Sequence, residues 1–493
     1  MVASHSTKPQ KPHAVLVCFP LQGHVNPSVH LACRLAEKGF TITFINTQSV
    51  HRHLTKSNKQ DGDDGDIFSG SREQGLDIRY VTIPDGLPVE WDRSVNHDQF
   101  MAALLHVYSA HVEEALKGIL KSTPPVNCLI ADTFFVFPGK LAKKYDLIYI
   151  SFWTEPALVF TLYYHIHLLK LNGHYGCSDV RKDEIDYVPG VGSIRPKDLM
   201  SYIQETDTTT VCHQIIDTAF ADARDHADFV LCNTIQELEQ HTIGALQEKM
   251  KFFAAGPIFP PSFSSNPQVK TSLWLESDCT QWLNSKPHGS VLYVSFGSYA
   301  HLSKQEILEI AYGLSLSQEN FIWALRPDMV SSNDSNLLPR DIIEEVSDRG
   351  LIIPWCNQKQ VLTNPAVGGF LTHCGWNSTL ESIWCEVPLL CFPLLTDQFT
   401  NRKLIVDDWK IGMDLCDKKP ISKLEIAGKI KQLIGGKSSE ELRNAMKKVK
   451  KTMEDALSKS GSSRKNLDQF ISNVLTTIHI RGGHDSIVYS SES

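Results

Sequence analysis

Two doubly wound α/β domains facing one cleft are what this 493-residue sequence predicts. Three observations carry that expectation. The first recognisable elements are a strand, a helix and a second strand at short spacing. A stretch rich in Pro, Ser and Gly, Ala254 to Ser272 (AAGPIFPPSFSSNPQVKTS), interrupts the pattern near the middle. Beyond it the alternation of strand and helix starts again. The expected units are a first domain at 1–253, a linker at 254–272, a second domain at 273–460, a closing helix at 461–480 and a tail at 481–493.

Each element has its own warrant. His13 to Phe19 (HAVLVCF) is a continuous apolar run, as a strand buried on both faces requires. Pro20 to Asn26 reads as a loop. Asn26 suits an N-cap, and Pro27 suits the first helical position, where its missing N–H costs nothing. The helix should run to about Lys38 and stop at Gly39. Phe40 to Asn46 is the next strand, and a β-α-β unit of this size implies parallel strands. Val126 to Asp132, Leu147 to Ser151 and Asp228 to Asn233 continue the sheet. Asp61 to Gln74 is polar and reads as a loop. After the linker, strands are expected at Ser290 to Phe296, Phe321 to Leu325, Leu351 to Ile353, Val367 to Thr372 and Leu389 to Phe392. Helices are expected at Lys304 to Gln318 and Ser378 to Cys385. The basic run Lys447, Lys448, Lys450 and Lys451 interleaves with Leu442, Met446, Val449 and Met453, which describes the solvated face of an amphipathic helix.

Bulk composition narrows the function. A net charge of -8 argues against a nucleic-acid binder, since phosphate contacts need a basic surface. The 12 cysteines include no C-x-x-C pair, so neither a zinc spacing nor a disulfide framework is indicated, and a reducing, cytoplasmic setting is expected. No apolar run is long enough for a signal peptide core or a membrane span. Asn377-Ser378-Thr379 reads as a glycosylation acceptor placed where a glycan would block the site described next, which agrees with the cytoplasm. A monomer is the default expectation.

The most informative stretch is GGFLTHCGWNSTLES, Gly368 to Ser382. A strand ends at His373, and Gly375 to Ser378 feed a helix. A helix N-terminus offers free N–H groups and the positive end of a dipole, which suits a diphosphate. Asn377, Ser378 and the His373 ring add donors. Glu381 does not suit phosphate, but a carboxylate grips a vicinal diol, as on a ribose. The alternative is that Ser378 and Glu381 form a capping box and bind nothing. Gly436-Lys437-Ser438 resembles the end of a phosphate-binding loop, but Lys431 stands where the motif needs Gly.

From Trp355 to Gln398 the sequence reads WCNQKQVLTNPAVGGFLTHCGWNSTLESIWCEVPLLCFPLLTDQ. It resembles, without a gap, the signature box of plant family 1 UDP-sugar glycosyltransferases. The N-terminal GHVNP and the central SFGS extend the resemblance over nearly the whole chain. The resemblance implies the GT-B arrangement of two Rossmann-like domains. It implies that Trp355 stacks on uracil, that Cys356 meets the base through its backbone and that Gln358 lies beside the nucleoside. It assigns Glu381 to the ribose, and His373, Gly375, Asn377, Ser378 and Ser298 to the diphosphate. Trp376, Asp397 and Gln398 would contact the sugar, and the final Gln favours UDP-glucose. Asn357 and Glu386 depart from the family's commoner Pro and Gly.

In the first half, His24 follows the first strand and Asp132 ends a later one. Alone, the first reads as a solvated loop residue and the second as a helix N-cap. The resemblance implies a general base and its partner. A neutral imidazole would take the acceptor's proton while a carboxylate orients the ring. A single displacement then inverts the sugar's anomeric centre. No metal and no cofactor beyond the donor is implied. Phe134, Phe135, Trp153 and Tyr299, with the Pro84 to Pro88 turn and the helix Phe160 to His165, are candidates for an apolar acceptor pocket. Alternatives are another UDP-sugar, a nucleotide-sugar epimerase of the same fold, and a binding protein without activity.

Overall fold

The computed structural model describes residues 11–57, 66–177, 181–259, 263, 269, 271–329, 337–416 and 420–488. Of the expectations above, part of the linker (260–262, 264–268 and 270), part of the polar 61–74 loop and the last five residues of the tail lie outside them.

Seven strands make the first sheet: β1 (His13–Val17), β2 (Thr41–Thr47), β3 (Ile78–Ile83), β4 (Cys128–Asp132), β5 (Ile148–Trp153), β6 (Phe229–Cys232) and β7 (Phe252–Ala254). Their order is β3-β2-β1-β4-β5-β6-β7, and every pairing is parallel. Six more make the second sheet: β8 (Val291–Ser295), β9 (Asn320–Ala324), β10 (Gly350–Ile353), β11 (Val367–Thr372), β12 (Leu389–Cys391) and β13 (Gly412–Asp414). That sheet is also parallel, in the order β10-β9-β8-β11-β12-β13. In each sheet the order reverses beside the first strand, between β1 and β4 and between β8 and β11. These are the topological switch points, where strand ends splay apart and leave room for a ligand.

The central strands are buried on both faces, which is why they read as unbroken apolar runs. A buried cluster on one face of the first sheet includes Phe470, Ile471 and Val474 of the closing helix, Ser462–Val488. The Phe470 ring packs on Phe229 and Phe253, and Arg481 pairs with Asp228. The helix therefore continues past Arg481, where the tail was expected to begin. A second cluster is shared between the halves, containing Trp153 and Phe160 together with Trp376 and Ile383.

Two local expectations are corrected. The first helix, α1, spans Gln22–Glu37, so Asn26 is not its N-cap and Pro27 lies inside it. Leu21 is the N-cap residue, and the His24 and Val25 N–H groups already bond its carbonyl. His24 therefore sits on a helix, not in a loop. Within the polar stretch, Ser69–Glu73 forms one helical turn. Gly39, with φ 92°, does end α1 by donating its N–H to the Ala36 carbonyl.

Candidate active site

The two switch points face each other across one cleft. From the first domain, His24 and Phe134 line it, and from the second Ser298, Tyr299, His373, Gly375, Trp376, Asn377, Asp397 and Gln398. About 1040 Å³ of the space between them is free of protein atoms.

His24 rises from α1 just beyond β1, and Asp132 is the last residue of the adjacent β4. Their side chains meet, with His24 Nδ1 2.7 Å from Asp132 Oδ2. The carboxylate side chain is 1% exposed and the imidazole 12%. The other carboxylate oxygen, Oδ1, accepts the Phe134 N–H, and Thr154 Oγ1 lies 2.9 Å from the same His24 nitrogen. Phe19 and Phe134 flank the ring. With Nδ1 held, Nε2 is the nitrogen left to take a proton.

Across the cleft, helix α2 (Trp376–Trp384) begins directly after the β11 loop. Its N-cap is Gly375, with no side chain capping it, so its first N–H groups stay open. Ser378 is thus the third helical residue, and the capping box is excluded. Glu381 instead accepts a hydrogen bond from Gln358 Nε2 at 2.8 Å, and the same amide reaches Ser378 Oγ at 3.0 Å. Burial raises the Glu381 pKa against the pull of Lys359 and the Gln358 bond. Trp355, Cys356, Gln358, Ser378 and Glu381 are not among the residues that line this cleft, and the Trp355 carbonyl accepts the Ser277 N–H.

The His373 ring fills the space between two glycines. A Cβ on Gly297 would stand 2.6 Å from its Nε2, and one on Gly375 2.5 Å. Burial, reinforced by the nearby Arg326 charge, lowers its pKa to about 4, so the ring is neutral near pH 7. Arg326 itself is buried and donates to the Gly297 and Ala300 carbonyls, which fixes the loop carrying Ser298. Gln398 spends its side-chain oxygen on the Leu394 and Leu395 N–H groups, leaving its NH₂ for the cleft. Asp397 accepts from Thr396 and Asn401, and burial raises its pKa.

Pro27 has a direct consequence here. Lacking an N–H, it leaves the Gly23 carbonyl, four residues back, without its helical partner. Asn377 Nδ2 donates to that oxygen at 2.6 Å and ties the two domains together at the cleft.

The acceptor-side expectations divide. Phe134 and Tyr299 line the cleft, and the Tyr299 hydroxyl bonds His97 and the Arg93 carbonyl. Phe135 and Trp153 do not line it. Phe135 packs on Phe19, Tyr108 and Phe137, and Trp153 donates Nε1 to the Pro156 carbonyl within the core. Phe160 is likewise core, and Asp85 of the Pro84 to Pro88 turn is held by Arg93. Sequence reading missed Leu21, His97, Met101, Tyr202, Cys212, Ile215 and Ile216, which line the apolar side. Cys212, Ile215 and Ile216 show ordinary helical spacing, which does not separate a pocket wall from a core face.

Glu386, where the family commonly has Gly, takes a φ of 58°, and its carboxylate pairs with Lys450 at 2.8 Å. The left-handed turn is therefore kept without glycine. Asn357 caps the following helical turn by accepting the Gln360 N–H. Among the described residues, no helix is long and apolar enough to cross a membrane.

Comparison with known proteins agrees with this architecture. A family model described as UDP-glucoronosyl and UDP-glucosyl transferase matches residues 223–453. The chain is 54% identical to UDP-glycosyltransferase 86A1 of Arabidopsis thaliana over 480 residues, 96% of each chain. It is 33% identical to 7-deoxyloganetin glucosyltransferase of Catharanthus roseus, covering 95% of this chain and 97% of that one. A solved structure of Phytolacca americana UGT2, complexed with UDP-2-fluoro-glucose and pterostilbene, superposes with a TM-score of 0.75 at 26% identity. That match covers 95% of this chain and all of the other.

Proposed function

The chain belongs to the plant family 1 UDP-glycosyltransferases, with their GT-B fold, and on that premise we propose that it is an inverting glucosyltransferase using UDP-glucose. Its acceptor is a small hydrophobic metabolite with a free hydroxyl or carboxyl, such as a phenolic or a terpenoid, and its product a β-glucoside. The observation that carries the reading is the His24–Asp132 pair, 2.7 Å apart, aimed into a cleft whose far wall is an uncapped helix N-terminus.

The mechanism follows from that geometry. The acceptor enters the apolar side, between Phe134 and Tyr299. Its oxygen meets His24 Nε2, which removes the proton as the bond to the anomeric carbon forms. Asp132 holds the proton on Nδ1 and stabilises the imidazolium, and such general-base help is worth roughly 10²- to 10⁴-fold. UDP leaves from the opposite face. The α2 N-terminus, His373, Asn377 and Ser298 take up the charge on its diphosphate. Trp355 and the Cys356 backbone hold the uracil, Gln358 lies beside the nucleoside, Glu381 holds the ribose, and Trp376, Asp397 and Gln398 hold the glucose. An attack on one face and departure from the other inverts the centre.

The test is incubation with UDP-glucose and a panel of phenolic and terpenoid alcohols and acids, read by mass. A gain of one hexose on some panel members is expected. UDP-glucose binding with no transfer to any member of a broad panel would contradict the enzymatic reading.

A further inference from the structure

We propose that Glu155 is a donor-sugar contact, its carboxyl exchanging hydrogen bonds with hexose hydroxyls and selecting a neutral hexose over a uronic acid. The proposal rests on the glucosyltransferase reading above and goes further into the same site. Glu155 lies two residues beyond β5 and lines the cleft. It is 8% exposed, and its Oε2 is buried with no hydrogen-bond partner among the described residues. An unused buried carboxyl is destabilising and calls for an explanation. A neighbouring buried acid shows the contrast. Glu239 accepts the Ala157 and Leu158 N–H groups and the Thr234 hydroxyl. The fold satisfies that carboxylate fully and leaves Glu155 open toward the cleft.

The position points to the sugar. Thr154, the preceding residue, is bound to His24. The Glu155 carbonyl accepts the Cys232 thiol, and the next residue, Asn233, accepts Trp376 Nε1 at 2.8 Å. Glu155 thus stands between the His24 pair and the group formed by Trp376, Asp397 and Gln398. Burial, with the Asp397 and Asp132 charges added, holds its pKa well above the ordinary carboxylate value. A carboxylic acid kept neutral both donates and accepts, which is what a sugar hydroxyl needs. A sugar that carries its own carboxylate would instead bring another negative charge against Asp397 and Asp132.

Full-length wild type, Glu155→Ala and Glu155→Gln are titrated calorimetrically with UDP, UDP-glucose and UDP-glucuronate. The Ala variant should bind UDP as wild type does and UDP-glucose roughly 3- to 10-fold more weakly. Its preference for UDP-glucose over UDP-glucuronate should narrow. The Gln variant, which keeps a donor and an acceptor, should stay near wild type. Thermal stability should not fall in the Ala variant, since an unpartnered acid is removed. The proposal is overturned if the ratio of UDP-glucose to UDP affinity is unchanged in the Ala variant. A rise in acceptor KM alone would then assign the acid to the acceptor, and a change in melting temperature alone would assign it to the fold. Wild-type protein that binds no UDP-sugar would overturn the parent reading as well, and the wild-type titration by itself separates that case.

Discussion

At the level of single residues, His24 has one reactive nitrogen because Asp132 and Thr154 hold the other. Asp132→Asn leaves the shape but removes the charge that stabilises the imidazolium. It should lower kcat by about 10²- to 10⁴-fold with little change in UDP affinity, measured by steady-state kinetics and calorimetry. Glu381→Ala removes a buried carboxylate assigned to the ribose and should weaken UDP binding roughly 10-fold or more. Unchanged UDP affinity would contradict that assignment. His373 carries a pH prediction. Its free-state pKa is lowered to about 4, and a bound diphosphate must raise it, so protonation and binding favour each other. UDP-glucose affinity should therefore strengthen as pH falls from 7 toward 5, and His373→Gln should lose that part of the rise. In the sequence His24, Asp132 and His373 stood beside strand ends and Glu381 in the first turn of a helix, but their roles were legible only through the family resemblance. Glu155 was not, because an acid after an apolar strand carries no signal until its burial and missing partner are seen.

At the scale of elements, the start of α2 is what the site is built on. Gly375 and Gly297 leave the space that the His373 ring occupies. Gly375→Ala and Gly297→Ala should each raise the KM for UDP-glucose roughly 10- to 100-fold by displacing that ring, the second also straining a φ of 74°. Wild-type KM in both variants would show that the ring does not meet the donor. The long buried strands were readable because two-sided burial makes them continuously apolar. β3, β7 and β13 were missed. β3 is half-exposed along most of its length, and the other two are three residues long. The start of α1 was misplaced because Pro27 is a common first helical residue. Here its interior position is tolerated because Asn377 takes the carbonyl it strands.

At the scale of the whole molecule, two domains become one enzyme through polar ties as well as apolar packing. Arg402 bridges Asp198 of the first domain to Asp407 and Asp414 of the second, and its charge is stabilised by all three. Arg402→Met leaves those carboxylates facing one another and should destabilise the protein by about 3 kcal/mol or more, seen as a lower denaturation midpoint. Trp376, Asn377, Tyr299 and Thr396 make further bonds across the cleft. None of these ties between the domains was visible in sequence, since their partners lie 143 to 354 residues apart and share no local pattern. The two-domain plan was visible, because each half repeats strand–helix alternation. The measurement that bears most directly on the account pairs hexose transfer with UDP binding in wild type and His24→Ala. The account predicts transfer from UDP-glucose by wild type, a loss of about 10²-fold or more in the variant, and nearly equal UDP affinity in both. Transfer at a near wild-type rate by His24→Ala would contradict it.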